Sequence, residues 1–158
     1  MRTLTRWAAA VVTGAVVGVS AAVCGSAGAV GGGGWEDERG RRFEVRMHNA
    51  SGCRLVRTGY GLTAGKFVKR PSATLGKGQA GGFTARSRAG SLRGVAGSVE
   101  YTAKNCDASW RNGHATRLTF GVPYSGMNSF STDGGGAFGT RLSGGSGPRA
   151  VLSWRVGR

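Results

Sequence analysis

The sequence predicts an all-β protein, a compact antiparallel β-sandwich of about eight short strands. Three observations lead there. Glycine supplies 31 of the 158 residues, and each glycine inside a helix costs about 1 kcal/mol relative to alanine. Apolar and polar residues alternate over short runs, the period of two that turns one face of a strand toward a core. Clusters of Gly, Ser, Asn and Pro punctuate those runs. The glycines follow no Gly-X-Y period, which excludes collagen, and 39% hydrophobic residues can bury a core.

In Phe43–His48, residues Phe43, Val45 and Met47 point one way and Glu44, Arg46 and His48 the other. Asn49-Ala50-Ser51-Gly52 is turn chemistry, and Cys53–Thr58 resumes as a strand. Gly65–Lys69 is stopped by Arg70-Pro71. Gly82–Ser87, Ser98–Ala103, Ala115–Val122, Phe138–Leu142 and Ala150–Val156 complete the set. No segment offers three turns of amphipathic helix, and no fixed-period repeat appears.

Residues 1–29 read as a secretory signal peptide. Arg2 and Arg6 precede Trp7–Val23, which carries no charge, and Ala27-Gly28-Ala29 gives a small-residue cleavage signature. Residues 30–42 form a flexible Gly-rich and charged lead, and 43–158 the sandwich domain. The protein is therefore expected outside the cell. Cleavage removes Cys24 and leaves Cys53 and Cys106, which an oxidising compartment joins as a disulfide. Closing so long a loop stabilises the fold by about 4 kcal/mol in the chain-entropy picture.

Lys and Arg number 22 against 7 Asp and Glu, for a net charge of +15 and a pI near 11.5. Losing Arg2 and Arg6 takes the charge from +15 to +13. Lys66, Lys69 and Arg70 cluster around Phe67, while Arg86, Arg88 and Arg93 surround a Gly/Ser loop. Such groups attract phosphate on lipid, wall polymer or nucleic acid. Catalytic chemistry has little to draw on. His48 falls on the polar face of the first strand, His114 in a turn, and the acids are scattered. Gly134-Gly135-Gly136 and Gly144-Gly145-Ser146-Gly147 lack the following Gly-Lys-Ser/Thr of a phosphate loop. No cofactor, metal or catalytic residue is expected. Asn49-Ala50-Ser51 matches an N-glycosylation acceptor.

From Glu44 to Val156 the order of segments resembles the aegerolysin superfamily. The bacterial branch, which includes the small component of binary insecticidal crystal toxins, is the nearest in pattern. Val45-Arg46-Met47-His48-Asn49 is similar to the family's first hairpin. Gly65-Lys66-Phe67-Val68-Lys69-Arg70-Pro71 is similar to its G-[KR]-aromatic segment, and Gly90–Tyr101 to its G-F-x-x-G-T-E-G-x-x-x-Y stretch. Phe120–Phe130 (FGVPYSGMNSF) resembles its aromatic-D-x-P-aromatic-x-G-x-N-x-aromatic stretch, and Gly144–Gly147 precedes the last strand. Two acids of the pattern are replaced, by Ala96 and Gly121, and the strong basicity departs from many members.

The resemblance implies a small β-sandwich without catalytic activity. It also implies recognition of membrane lipid, sphingolipid-like or anionic, and action beside a larger pore-forming partner in a two-component cytolysin. The candidate lipid- and anion-binding residues are Lys66, Phe67, Lys69, Arg70, Tyr124 and Phe130. They combine ring-bearing side chains suited to a bilayer interface with cations suited to headgroup phosphate. Two alternatives stay open: a cationic module for anionic wall polymer or nucleic acid, and a small secreted hydrolase using His48 or His114.

Overall fold

The computed structural model describes residues 40–158. The expected signal peptide and most of the expected lead lie outside the described residues. Ten strands form two five-stranded sheets. The strands are β1 (Arg42–Asn49), β2 (Arg54–Ala64), β3 (Lys66–Lys69), β4 (Thr74–Leu75), β5 (Ala80–Arg86), β6 (Val95–Lys104), β7 (Ala115–Val122), β8 (Ser129–Asp133), β9 (Thr140–Gly144) and β10 (Arg149–Val156). Sheet A runs β3-β5-β1-β10-β9 and sheet B runs β4-β2-β6-β7-β8. The sandwich read from the sequence is the observed architecture.

Alternation explains the packing. Phe43, Val45 and Met47 of β1 lie beside Ala150, Leu152 and Trp154 of β10, all turned inward and buried. Sheet B answers with Leu55, Val99, Tyr101, Leu118, Phe120 and Val122. Aromatic rings run through this interior as one chain. Phe43 lies 4.7 Å from Phe120 and 6.0 Å from Phe83, and Phe83 lies 5.5 Å from Phe120. β1 and β5 approach so closely that a Cβ on Gly82 would overlap the Val45 carbonyl oxygen, so this strand position requires glycine.

Three features differ from the sequence reading. β1 and β10 pair in parallel, whereas every other recorded pairing is antiparallel. β4 and β8 were not expected, because Thr74-Leu75 is only two residues long and Ser-Phe-Ser-Thr-Asp holds a single apolar residue and shows no alternation. β2 continues past Thr58 through Gly59 and Gly61. Two register shifts against β6, at Thr58 and Thr63, bulge the strand, and Gly59 and Gly61 keep their pairing between them, so the glycines do not end it.

The Cys53–Cys106 disulfide forms as expected, with its Cα atoms 4.0 Å apart. Beside it, the buried Asn49 Nδ2 donates to the carbonyls of Cys53 (2.8 Å), Leu75 (3.1 Å) and Gly76 (2.8 Å). Asn49 Oδ1 accepts from the Ser51 hydroxyl at 2.6 Å. The sequon asparagine is thus a fully enclosed bracket for three chain segments, and its amide is not presented to solvent.

Tyr101 is also enclosed, and its hydroxyl donates to the Ser72 carbonyl at 2.9 Å. Burial pushes its pKa from 10.0 up to about 12, against the opposing pull of Arg57. The folded chain therefore holds this proton more tightly than the unfolded chain. The associated stability is intact below pH 10 and is lost as pH climbs toward 12, by at most about 3 kcal/mol. Urea unfolding across this alkaline range is expected to show that decline, with a shallower slope for Tyr101→Phe.

Candidate functional site

Four connections meet at one end of the sandwich: the Gly65 turn and the loops over residues 87–94, 123–128 and 145–148. Backbone and side-chain hydrogen bonds tie them together. Ser87 N–H donates to the Arg41 carbonyl (2.9 Å), Arg42 N–H to that of Pro148 (3.0 Å) and Arg88 Nε to that of Gly65 (3.3 Å). Asn128 Nδ2 bridges the two sheets by donating to the carbonyls of Gly145 (2.7 Å) and Gly147 (2.8 Å). Arg41 donates to the Tyr124 carbonyl and lies 5.4 Å from the centre of the Tyr124 ring. Gly94 takes a positive φ of 74°, and an added Cβ would strike the Val122 carbonyl, so glycine permits the 87–94 loop to close against β7.

This end combines cations with exposed apolar tips. Met127 is 93% exposed, Leu92 72% and Tyr124 38%. Arg88 and Arg93 flank Leu92 in the 87–94 loop, Arg41 reaches Tyr124 from the segment before β1, and the three loops over 87–94, 123–128 and 145–148 contain no Asp or Glu. Directly below, strand register lines up Lys66, Arg86, Arg42 and Arg149 as a row across β3, β5, β1 and β10. Among the described residues cations outnumber acids here, with Glu44 the one carboxylate on the adjoining strand face, and such a surplus suits phosphate.

Of the six residues singled out from the sequence, Lys66 and Tyr124 come to this end. Phe67 and Phe130 are half-buried and close the two ends of the aromatic chain. Phe67 lies 5.9 Å from Phe83 and 5.6 Å from Tyr60, while Phe130 stacks on Phe43 at 5.4 Å with planes 15° apart. Lys69 and Arg70 are exposed farther along the sheet edge and are not gathered with Tyr124. Leu92, Met127, Arg41, Arg42 and Arg149 were missed. Lone Leu and Met residues inside Gly/Ser loops, off any strand alternation, were the available signal.

A shallow cleft of about 580 Å³ opens on sheet B near Phe130. The hydroxyls of Thr63, Ser98, Thr119, Ser129 and Ser131 line it, and Arg117 Nη2 donates to Ser98 Oγ at 3.1 Å. His48 stands exposed on the outer face of sheet A beside Arg155. His114 is exposed in the connection from β6 to β7, at the opposite end of those strands, with its ring 6.0 Å from that of Trp110.

No family model and no curated protein matches the sequence. Solved structures do. The lipid-binding protein Nakanori superposes with a TM-score of 0.64 at 16% identity, covering 75% of this chain and 71% of its own. The RahU protein, crystallised in complex with a Tris molecule, gives 0.59 at 14% identity, covering 75% of this chain and 95% of RahU. IP-1A from Alcaligenes faecalis gives 0.57 at 15% identity, covering 75% and 91%. The chain shares their fold. At these identities the likeness fixes the arrangement of the sheets and leaves side-chain chemistry to be read from this sequence itself.

Proposed function

We propose that this protein is a secreted, aegerolysin-like membrane-lipid-binding β-sandwich that docks through its cationic loop end. One observation carries the reading: exposed Leu92, Met127 and Tyr124 project from loops that hold no acid, with Arg88 and Arg93 flanking Leu92 and Arg41 lying against Tyr124. Apolar tips enter the interfacial region of a bilayer, and each cation near an anionic surface adds about 1 kcal/mol. Of the expected lipid- and anion-binding set, Lys66 and Tyr124 act at this end, Phe67 and Phe130 act from beneath as supports for the loops, and Lys69 and Arg70 stand outside the contact, farther along the edge of sheet A. The described lipid binding of Nakanori supports the same direction. Export is supported by the leader pattern of the sequence and by the disulfide. A larger pore-forming partner belongs to this proposal through the sequence resemblance.

Vesicle flotation tests it. Vesicles containing anionic or sphingolipid headgroups are expected to carry the protein, with anionic binding weakening as salt rises. The double variant Leu92→Ser, Met127→Ser is expected to bind about 30-fold more weakly, equivalent to about 2 kcal/mol of lost apolar insertion. Absence of binding to neutral, sphingolipid and anionic vesicles at low salt would refute the reading.

A further inference from the structure

The positive charge of this molecule is not spread evenly over its two faces. Strand register places Lys66, Arg86, Arg42 and Arg149 on the outer surface of sheet A as one row. Farther along the same surface come Arg46, then Arg155 beside Arg141. These side chains share a face because their strand neighbours, Phe43, Ala85 and Ala150 among them, turn into the core. Among the described residues the only acid on this surface is Glu44, which pairs with Arg46 at 3.1 Å. The outer surface of sheet B is close to neutral by contrast: Arg54, Lys104 and Arg117 stand with Glu100 and Asp133, amid Ser and Thr hydroxyls.

We propose that the outer face of sheet A binds a linear phosphodiester polymer without bases, of the poly(glycerol phosphate) type, along a track that begins at the row beneath the lipid-binding loop end and runs away from it to Arg46, Arg155 and Arg141. Neighbouring strands are about 5 Å apart and successive residues on one face about 7 Å. The four-residue row therefore spans about 14 Å, and the track from Arg42 to Arg155 about 20 Å, room for several consecutive phosphates. Arginine supplies most of the cations, and its planar fork takes phosphate oxygens in pairs. Among the described residues the face displays no Phe, Tyr or Trp and a single imidazole, His48, so it lacks the run of stacking rings on which single-stranded nucleic acids are held. A bilayer docked at the loop end meets the strands end-on, which leaves this face at right angles to the membrane plane and open to a polymer passing beside it.

The test measures binding of the intact mature protein to immobilised poly(glycerol phosphate) as salt is raised. A log–log slope near −3 is expected, since each phosphate neutralised contributes about 0.7 on a flexible strand. Replacing three exposed arginines, in Arg46→Gln, Arg141→Gln, Arg155→Gln, is expected to flatten the slope by about 2 and weaken binding at least 10-fold, while vesicle flotation stays unchanged. The matching lysine triple keeps the charge and the slope but loses affinity a few-fold, which separates lost contacts from misfolding. Leu92→Ser with Met127→Ser should do the reverse, losing vesicles and keeping polymer. Wild-type affinity in the glutamine triple would overturn the proposal. So would tighter binding to a single-stranded oligonucleotide of equal charge, or joint loss of vesicle and polymer binding in that triple.

Discussion

Replacing Cys53 and Cys106 together by alanine is expected to lower stability by about 4 kcal/mol, a large share of the roughly 5–15 kcal/mol that holds a domain folded. The bridge joins the start of β2 to the chain just beyond the end of β6, two strands that already pair through Arg54 and Lys104. Its effect therefore lies mainly in the unfolded chain, which loses a long closed loop. The bridge also holds Cys53 where its carbonyl accepts from Asn49. A fall of roughly 15 °C in Tm follows from typical unfolding entropies. Thermal melts of the double variant and of the reduced wild type should coincide, and reductant should leave the variant unmoved. A variant melting within 3 °C or so of the oxidised wild type would contradict this account.

Phe43→Ala is expected to cost about 3–5 kcal/mol. Phe43 is fully buried and touches three other rings, Phe83, Phe120 and Phe130. Truncation opens a cavity between the sheets and removes the surface on which Phe130 stacks. Phe130→Ala should cost distinctly less, because that ring is only half-buried. Urea midpoints decide the order. Equal losses would mean that the ring chain does not centre on Phe43. Because Phe130 opens β8 just beyond the 123–128 loop, Phe43→Ala is also expected to loosen that loop and weaken vesicle binding.

The architecture was readable wherever a strand has one wet face. Phe43–His48, Ala115–Val122 and Ala150–Val156 were all found within about one residue of their ends, since alternation encodes burial directly. β8 and β4 escaped because their place comes from a neighbour's open edge, which local pattern does not record. The parallel contact of β1 with β10 escaped for the same reason: pairing across the length of a chain leaves no mark on either strand. Of the proposed site, the sequence singled out Lys66, a cation opening a strand, and Tyr124, a ring in a loop, and both lie at the loop end. Phe67 and Phe130 looked similar in sequence, yet the sheets draw them inward. The row from Lys66 to Arg149 collects residues from four strands and could emerge only from register.

The side-by-side placement of β1 and β10 at the middle of sheet A has a consequence for biogenesis. β1 gains its second neighbour only once β10 is available, so sheet A cannot be finished before residues 149–156 have been made and set free. Deleting the last eight or so residues would strip β1 of that neighbour and leave a sticky, unzipped centre, so truncation there is far more damaging than the same loss from a peripheral hairpin.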